Sequence, residues 1–121
     1  MLTLQRGFWP VPPTIGVGQT QPGNLSSVAA KSHCNGIAPA DRWGFTLANA
    51  KTVTIDLSST AFDTYVCLFD ANYNFIAAND NANPTTTNSE LKLALSGGGA
   101  QYYIEVTTKS PSNAGGSYTL H

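Results

Sequence analysis

The sequence predicts an all-β fold, an antiparallel β-sandwich of seven or eight short strands following a jelly-roll-like path. Apolar and polar residues alternate with period 2 in run after run, as where Val53, Ile55 and Leu57 are interleaved with Thr52, Thr54 and Asp56. The runs recur at spacings of about ten residues, separated by turns rich in Gly, Pro and Asn, which is the rhythm of a sandwich. No segment keeps helical spacing over ten residues.

A chain of 121 residues and 12.7 kDa closes one core without needing a metal to fold. Only 11% of its residues are charged, against roughly a quarter in an average soluble domain. Ser, Thr, Asn and Gly replace them, a surface chemistry common in secreted all-β proteins. The formal net charge is -1 with no basic cluster. That excludes electrostatic capture of nucleic acid or of an anionic membrane. No apolar run approaches the roughly 18 residues that a membrane-spanning helix needs, and no signal peptide is visible at the start.

Residues 1–13 differ from the rest. They are apolar and proline-rich (Phe8, Trp9, Pro10, Val11, Pro12, Pro13), and proline favours extended backbone while withholding a donor from any sheet ladder. The stretch reads as a linker or as an arm that docks on a neighbouring subunit through Phe8 and Trp9. The sandwich is assigned to residues 14–121. Ile15 to Thr20 reads as a short edge strand broken by glycine turns, and Pro22-Gly23-Asn24 as a turn leading to Leu25. Residues 31–40 form a loop holding His33 and Cys34. Trp43, Phe45 and Leu47 then alternate with Arg42, Gly44 and Thr46, and Val53, Ile55 and Leu57 follow as the next half-buried strand.

The stretch from Asp56 to Asn81 organises the chain. Val66 and Leu68 point one way and Tyr65, Cys67 and Phe69 the other, the pattern of a strand buried on both faces. Asp70-Ala71-Asn72-Tyr73-Asn74 reverses the chain into Phe75-Ile76-Ala77-Ala78, because Asp and Asn bond their local backbone and tolerate left-handed dihedrals. Leu91, Leu93 and Leu95 mark a further strand. Gly97-Gly98-Gly99 permits a reversal into Tyr102, Ile104 and Val106, and Tyr118-Thr119-Leu120 closes the set. The expected core is Phe45, Leu47, Val53, Ile55, Leu57, Val66, Leu68, Leu91, Leu93, Leu95, Ile104, Val106 and Leu120.

Two cysteines, Cys34 and Cys67, admit either one disulfide or two buried thiols, and an exported-looking chain favours the disulfide. Closing that loop would stabilise the fold by about 3 to 4 kcal/mol in the chain-entropy model. His33 beside Cys34 is a formal Cys-His pair, but adjacent side chains rarely converge. With His121 the only other histidine, no nucleophile with an oriented base is legible and no enzyme is expected.

In order along the chain, Ile15-Gly16-Val17-Gly18-Gln19-Thr20, Asp41-Arg42-Trp43-Gly44-Phe45-Thr46-Leu47, Phe62-Asp63-Thr64-Tyr65-Val66, Asp70-Ala71-Asn72, Ala78-Asn79-Asp80-Asn81, Asn88-Ser89-Glu90-Leu91, Tyr102-Tyr103-Ile104-Glu105-Val106 and Gly116-Ser117-Tyr118-Thr119-Leu120 resemble the bacterial pre-peptidase C-terminal domain. The resemblance runs from about Thr14 to Leu120. It implies a jelly-roll-like sandwich appended to exported enzymes and similar to the collagen-binding domains of clostridial collagenases, some of which take up calcium. It therefore makes Asp41, Asp63, Asp70 and Asp80 candidate calcium ligands, although Asp at such turns also serves by bonding its own backbone. Tyr73 stands where the family has Gly in the hairpin turn, and Asn81 where it has Asp.

The function these readings imply is a non-catalytic, secreted or extracellular module. It would bind or tether to a protein or polysaccharide surface through the outward-facing Tyr103 and its strand neighbours. The alternative is a self-assembling structural subunit of a filament, coat or virion surface, whose N-terminal arm contacts other copies of the chain.

Overall fold

The structure, a computed structural model, describes residues 13–25, 32, 34, 39–80, 88–108 and 116–121. Phe8, Trp9, His33 and Asn81 lie outside the described residues. Eight strands follow one another: β1 (Gln21–Leu25), β2 (Asp41–Leu47), β3 (Lys51–Ser58), β4 (Thr64–Asp70), β5 (Phe75–Asn79), β6 (Ser89–Leu95), β7 (Ala100–Thr108) and β8 (Gly116–Leu120). They form two four-stranded antiparallel sheets, β1-β8-β3-β6 and β2-β7-β4-β5. Each sheet interleaves strands from both halves of the chain, which is the jelly-roll order.

The core lies where alternation places it. Phe45, Leu47, Val66, Leu68, Ile104 and Val106 from one sheet meet Val53, Ile55, Leu57, Leu91, Leu95 and Leu120 from the other. Leu93 is partly buried and packs against this cluster. Leu47, Leu57, Leu68 and Leu120 are almost wholly enclosed, and each such side chain contributes about 2 kcal/mol by leaving water.

Two expectations are corrected at the start of the domain. Ile15 to Thr20 is not a strand: Gly16 donates to the side-chain oxygen of Gln19 at 2.7 Å, which curls the chain, and only Thr14 bridges to Gly44, in parallel. Conversely, Pro22-Gly23-Asn24 is not a turn but the middle of β1, in register with Thr119, Tyr118 and Ser117 of β8. An edge strand tolerates a proline because the missing donor can face away from the ladder. Gly23 is needed because a Cβ there would run into the hydroxyl end of the Tyr118 ring.

That ring clasps the two sheets. Trp43 on β2 donates its indole N–H to the Tyr118 hydroxyl at 2.9 Å, and the hydroxyl donates to Asp41 Oδ2 at 2.8 Å. Burial pushes the Asp41 carboxyl above its ordinary value, against the hydrogen bond from Tyr118 and the nearby Arg42.

Candidate functional site

The outer face of the β2-β7-β4-β5 sheet carries the densest chemistry among the described residues. Cys67 on β4 pairs with Glu105 on β7, which pairs with Arg42 on β2, so the three share one outward row. A row of this kind normally faces water. Here Ser32 and Cys34 cross it: Cys34 forms a disulfide with Cys67, with Cα atoms 6.7 Å apart. Ser32 donates its hydroxyl to Glu105 Oε1 at 2.8 Å, and Arg42 Nη2 meets Glu105 Oε2 at 2.9 Å. Thr107, next along the face, donates to the Pro39 carbonyl at 2.6 Å. The Glu105 carboxylate is thus fully buried on what alternation marks as a polar face, with Ser32 and the Cys34–Cys67 bridge against it.

Beyond this clasp the same face becomes aromatic. Phe69 pairs with both Tyr103 and Phe75. The Tyr73 ring stacks on Tyr103 with centroids 4.7 Å apart and planes 3° from parallel, and Phe69 contacts Tyr73 at 5.9 Å and Phe75 at 6.2 Å. Phe75 is 59% exposed. Tyr73 is the one non-glycine residue with positive φ, 61°, among the described residues. A bulky residue in that region is a true outlier, at a cost of about 1 to 2 kcal/mol. The outlier sits in the patch, as strained residues at functional sites tend to.

Asp70 holds Tyr73 there. Its carboxylate accepts from the backbone N–H of Asn72 and of Asn74, both at 2.9 Å, and from Asn74 Nδ2 at 3.1 Å, while Tyr73 N–H donates to the Asp70 carbonyl at 3.0 Å. The backbone N–H of Asn74 is the main reason the Asp70 carboxyl is held below its ordinary value. Burial pushes the Tyr73 phenol up.

The four candidate calcium ligands do not form one site. Asp63 precedes β4 and Asp70 ends it, so at about 3.3 Å per residue they stand roughly 20 Å apart. Asp41 is engaged by Tyr118. Asp63 and Asp80 fall at the same end of the sheet, where Asp63 contributes its carbonyl to Thr108 Oγ1 and Asp80 its carbonyl to Ser89 Oγ. Among the described residues no group of three His, Cys, Asp or Glu side chains comes together.

The sequence singled out Tyr103 and the cysteines. It missed Glu105 and Arg42, whose only signal was two opposite charges at matching alternation. It also missed Phe75 as an exposed ring, since period 2 alone gives no reason to turn a phenylalanine outward beside a bulge at Leu68/Phe69.

No family model matches the chain, and no curated protein matches it. Among solved structures it is similar to the pre-peptidase C-terminal domain of the collagenase from Bacillus anthracis, with a TM-score of 0.67 and 21% identity, over 95% of this chain and 97% of that one. The chain therefore has the fold that the sequence motifs resembled.

Proposed function

We propose that this chain is a non-catalytic extracellular binding module whose contact surface is the ring patch of Tyr73, Phe75 and Tyr103 on the outer sheet face. The observation that carries the reading is the stacked Tyr73–Tyr103 pair, kept in place by a backbone conformation that tyrosine adopts only at a cost. The exposed Phe75 ring beside the stacked pair offers apolar contact area. The neighbouring charges, Arg42 and Glu105, already compensate one another. The surface therefore suits an uncharged or weakly charged protein or polysaccharide. Likeness to a C-terminal domain of a collagenase supports an accessory role, and the disulfide fits an oxidising compartment outside the cell.

The test is co-sedimentation of the protein with insoluble fibrous protein and with insoluble polysaccharides. Binding to one of them should weaken at least about tenfold in Tyr103→Ala and Phe75→Ala, as for aromatic residues that anchor an interface. Equal binding by the wild type and both variants would remove this patch from the function.

A further inference from the structure

One carboxylate acts on the ring patch from the other side of its sheet. Asp70 is in register with Tyr102 of β7, whose ring stacks on Phe45 in the core, whereas the preceding residue, Phe69, is in register with Tyr103 on the outer face. Successive residues of a strand point to opposite faces. Asp70 therefore leaves β4 on the side away from Tyr73, Phe75 and Tyr103, and its carboxylate bends into the turn. Oδ1 accepts from the backbone N–H of both Asn72 and Asn74 at 2.9 Å, and Oδ2 accepts from Asn74 Nδ2 at 3.1 Å. The two backbone donors bracket Tyr73, one residue before it and one after.

What this bracket holds is a direction for the Tyr73 ring. At φ 61° the residue stands about 120° from the ordinary right-handed value of roughly −63°, and a rotation of that size about N–Cα carries the side chain with it. A ring 4.7 Å from Tyr103 and 3° from parallel does not survive such a swing. A residue with a Cβ abandons the left-handed region when nothing keeps it there.

We propose that Asp70 is the positioning residue of the ring patch, fixing the Tyr73 ring against Tyr103 through the backbone of the turn without itself reaching a ligand on the outer face. The inference rests on the reading of that patch as the contact surface, and it names what sets the patch's shape. A ligand meets only the fraction of molecules in which the rings are stacked. Its affinity falls in proportion to that fraction.

The experiment compares Asp70→Ala, Asp70→Asn, Tyr73→Ala and Asp70→Ala/Tyr73→Ala in the full chain, with circular dichroism to confirm folding. Asp70→Leu, which also lacks an acceptor, repeats the measurement should Asp70→Ala not fold. The first readout needs no ligand, because the ring current of Tyr73 displaces the nuclear magnetic resonances of the Tyr103 ring. Asp70→Ala should move those resonances to their positions in Tyr73→Ala. Asp70→Asn should leave them in place, since a carboxamide oxygen still accepts from both backbone N–H groups. Resonances unmoved in Asp70→Ala, or moved equally in Asp70→Asn, overturn the proposal whatever the patch binds. The second readout is co-sedimentation with whichever of the insoluble fibrous protein and polysaccharides retains the unmodified chain. Asp70→Ala should weaken binding at least about tenfold, but no more than about twofold further once Tyr73 is alanine, the limit for a residue that acts only through Tyr73. Losses that simply add overturn the proposal. Retention by none of these materials removes the contact reading alone, because the resonances still decide whether Asp70 holds the stack.

Discussion

Arg42 and Glu105 face each other across β2 and β7 and close an ion pair of 2.9 Å on the outer side of a sheet, where Glu105 is completely shielded from water. Removing one member of a buried pair leaves the other uncompensated, which costs about 3 to 5 kcal/mol. Glu105→Ala should lower the unfolding free energy by that order in urea titrations, while Arg42→Met/Glu105→Leu should lower it less. A single variant as stable as the wild type would show that the pair contributes nothing.

Reduction should act on the same region. The Cys34–Cys67 bridge spans a sequence separation of 33, for which loop closure stabilises by about 3 to 4 kcal/mol. The melting temperature should fall by about 10 °C or more in reductant, and the mass should rise by a pair of hydrogen atoms. Failure of the mass to change would mean that the thiols are free.

At Tyr73 the backbone prediction can be separated from the side-chain one. With φ at 61°, Tyr73→Gly should be more stable than Tyr73→Ala by about 1 kcal/mol, since glycine alone enters that region freely. Both lose the ring that stacks on Tyr103, so both should lose near-ultraviolet tyrosine ellipticity. Alanine equal to glycine would place the residue outside the left-handed region.

Asp70 sets an acid limit on the same turn. Its carboxyl titrates below the ordinary 3.8 in the folded chain, so its stabilisation is complete above that value and is lost as pH falls through the lower folded value. Asp41, raised by burial, works in the opposite sense, favouring the fold at low pH and losing that contribution as pH rises through its raised value. Asp70→Asn should therefore flatten the loss of stability below about pH 4. An unchanged acid limb would assign it to another carboxyl.

Tyr118 joins the sheets through Trp43 and Asp41. Tyr118→Phe removes both hydrogen bonds and should cost about 1 to 3 kcal/mol, and Gly23→Ala should cost a similar amount by displacing the ring. A melting temperature unmoved by Gly23→Ala would mean that β1 shifts freely.

What the sequence determined by itself was everything with a short-range period. Alternation at Val53, Ile55 and Leu57, at Val66 and Leu68, and at Ile104 and Val106 fixes which side is core, because a one-residue slip would expose the whole set. The Asp70–Asn74 turn was legible for the same local reason, since its bonds join residues within four positions of one another. Tertiary structure decided the rest. Pro22-Gly23 became a strand because β8 lay beside it and Tyr118 needed the room. Glu105 became a buried ion because Ser32 and Cys34, distant in sequence, are held on its face by a hydrogen bond and a disulfide. The candidate carboxylates were separated because β4 puts its length between Asp63 and Asp70. The rings of Tyr73 and Tyr103, thirty positions apart in sequence, meet because register between β4 and β7 sets Phe69 opposite Tyr103 beside the turn that carries Tyr73. Contacts between residues this distant depend on strand order, and strand order is settled by the packing of two whole sheets, which no local pattern encodes.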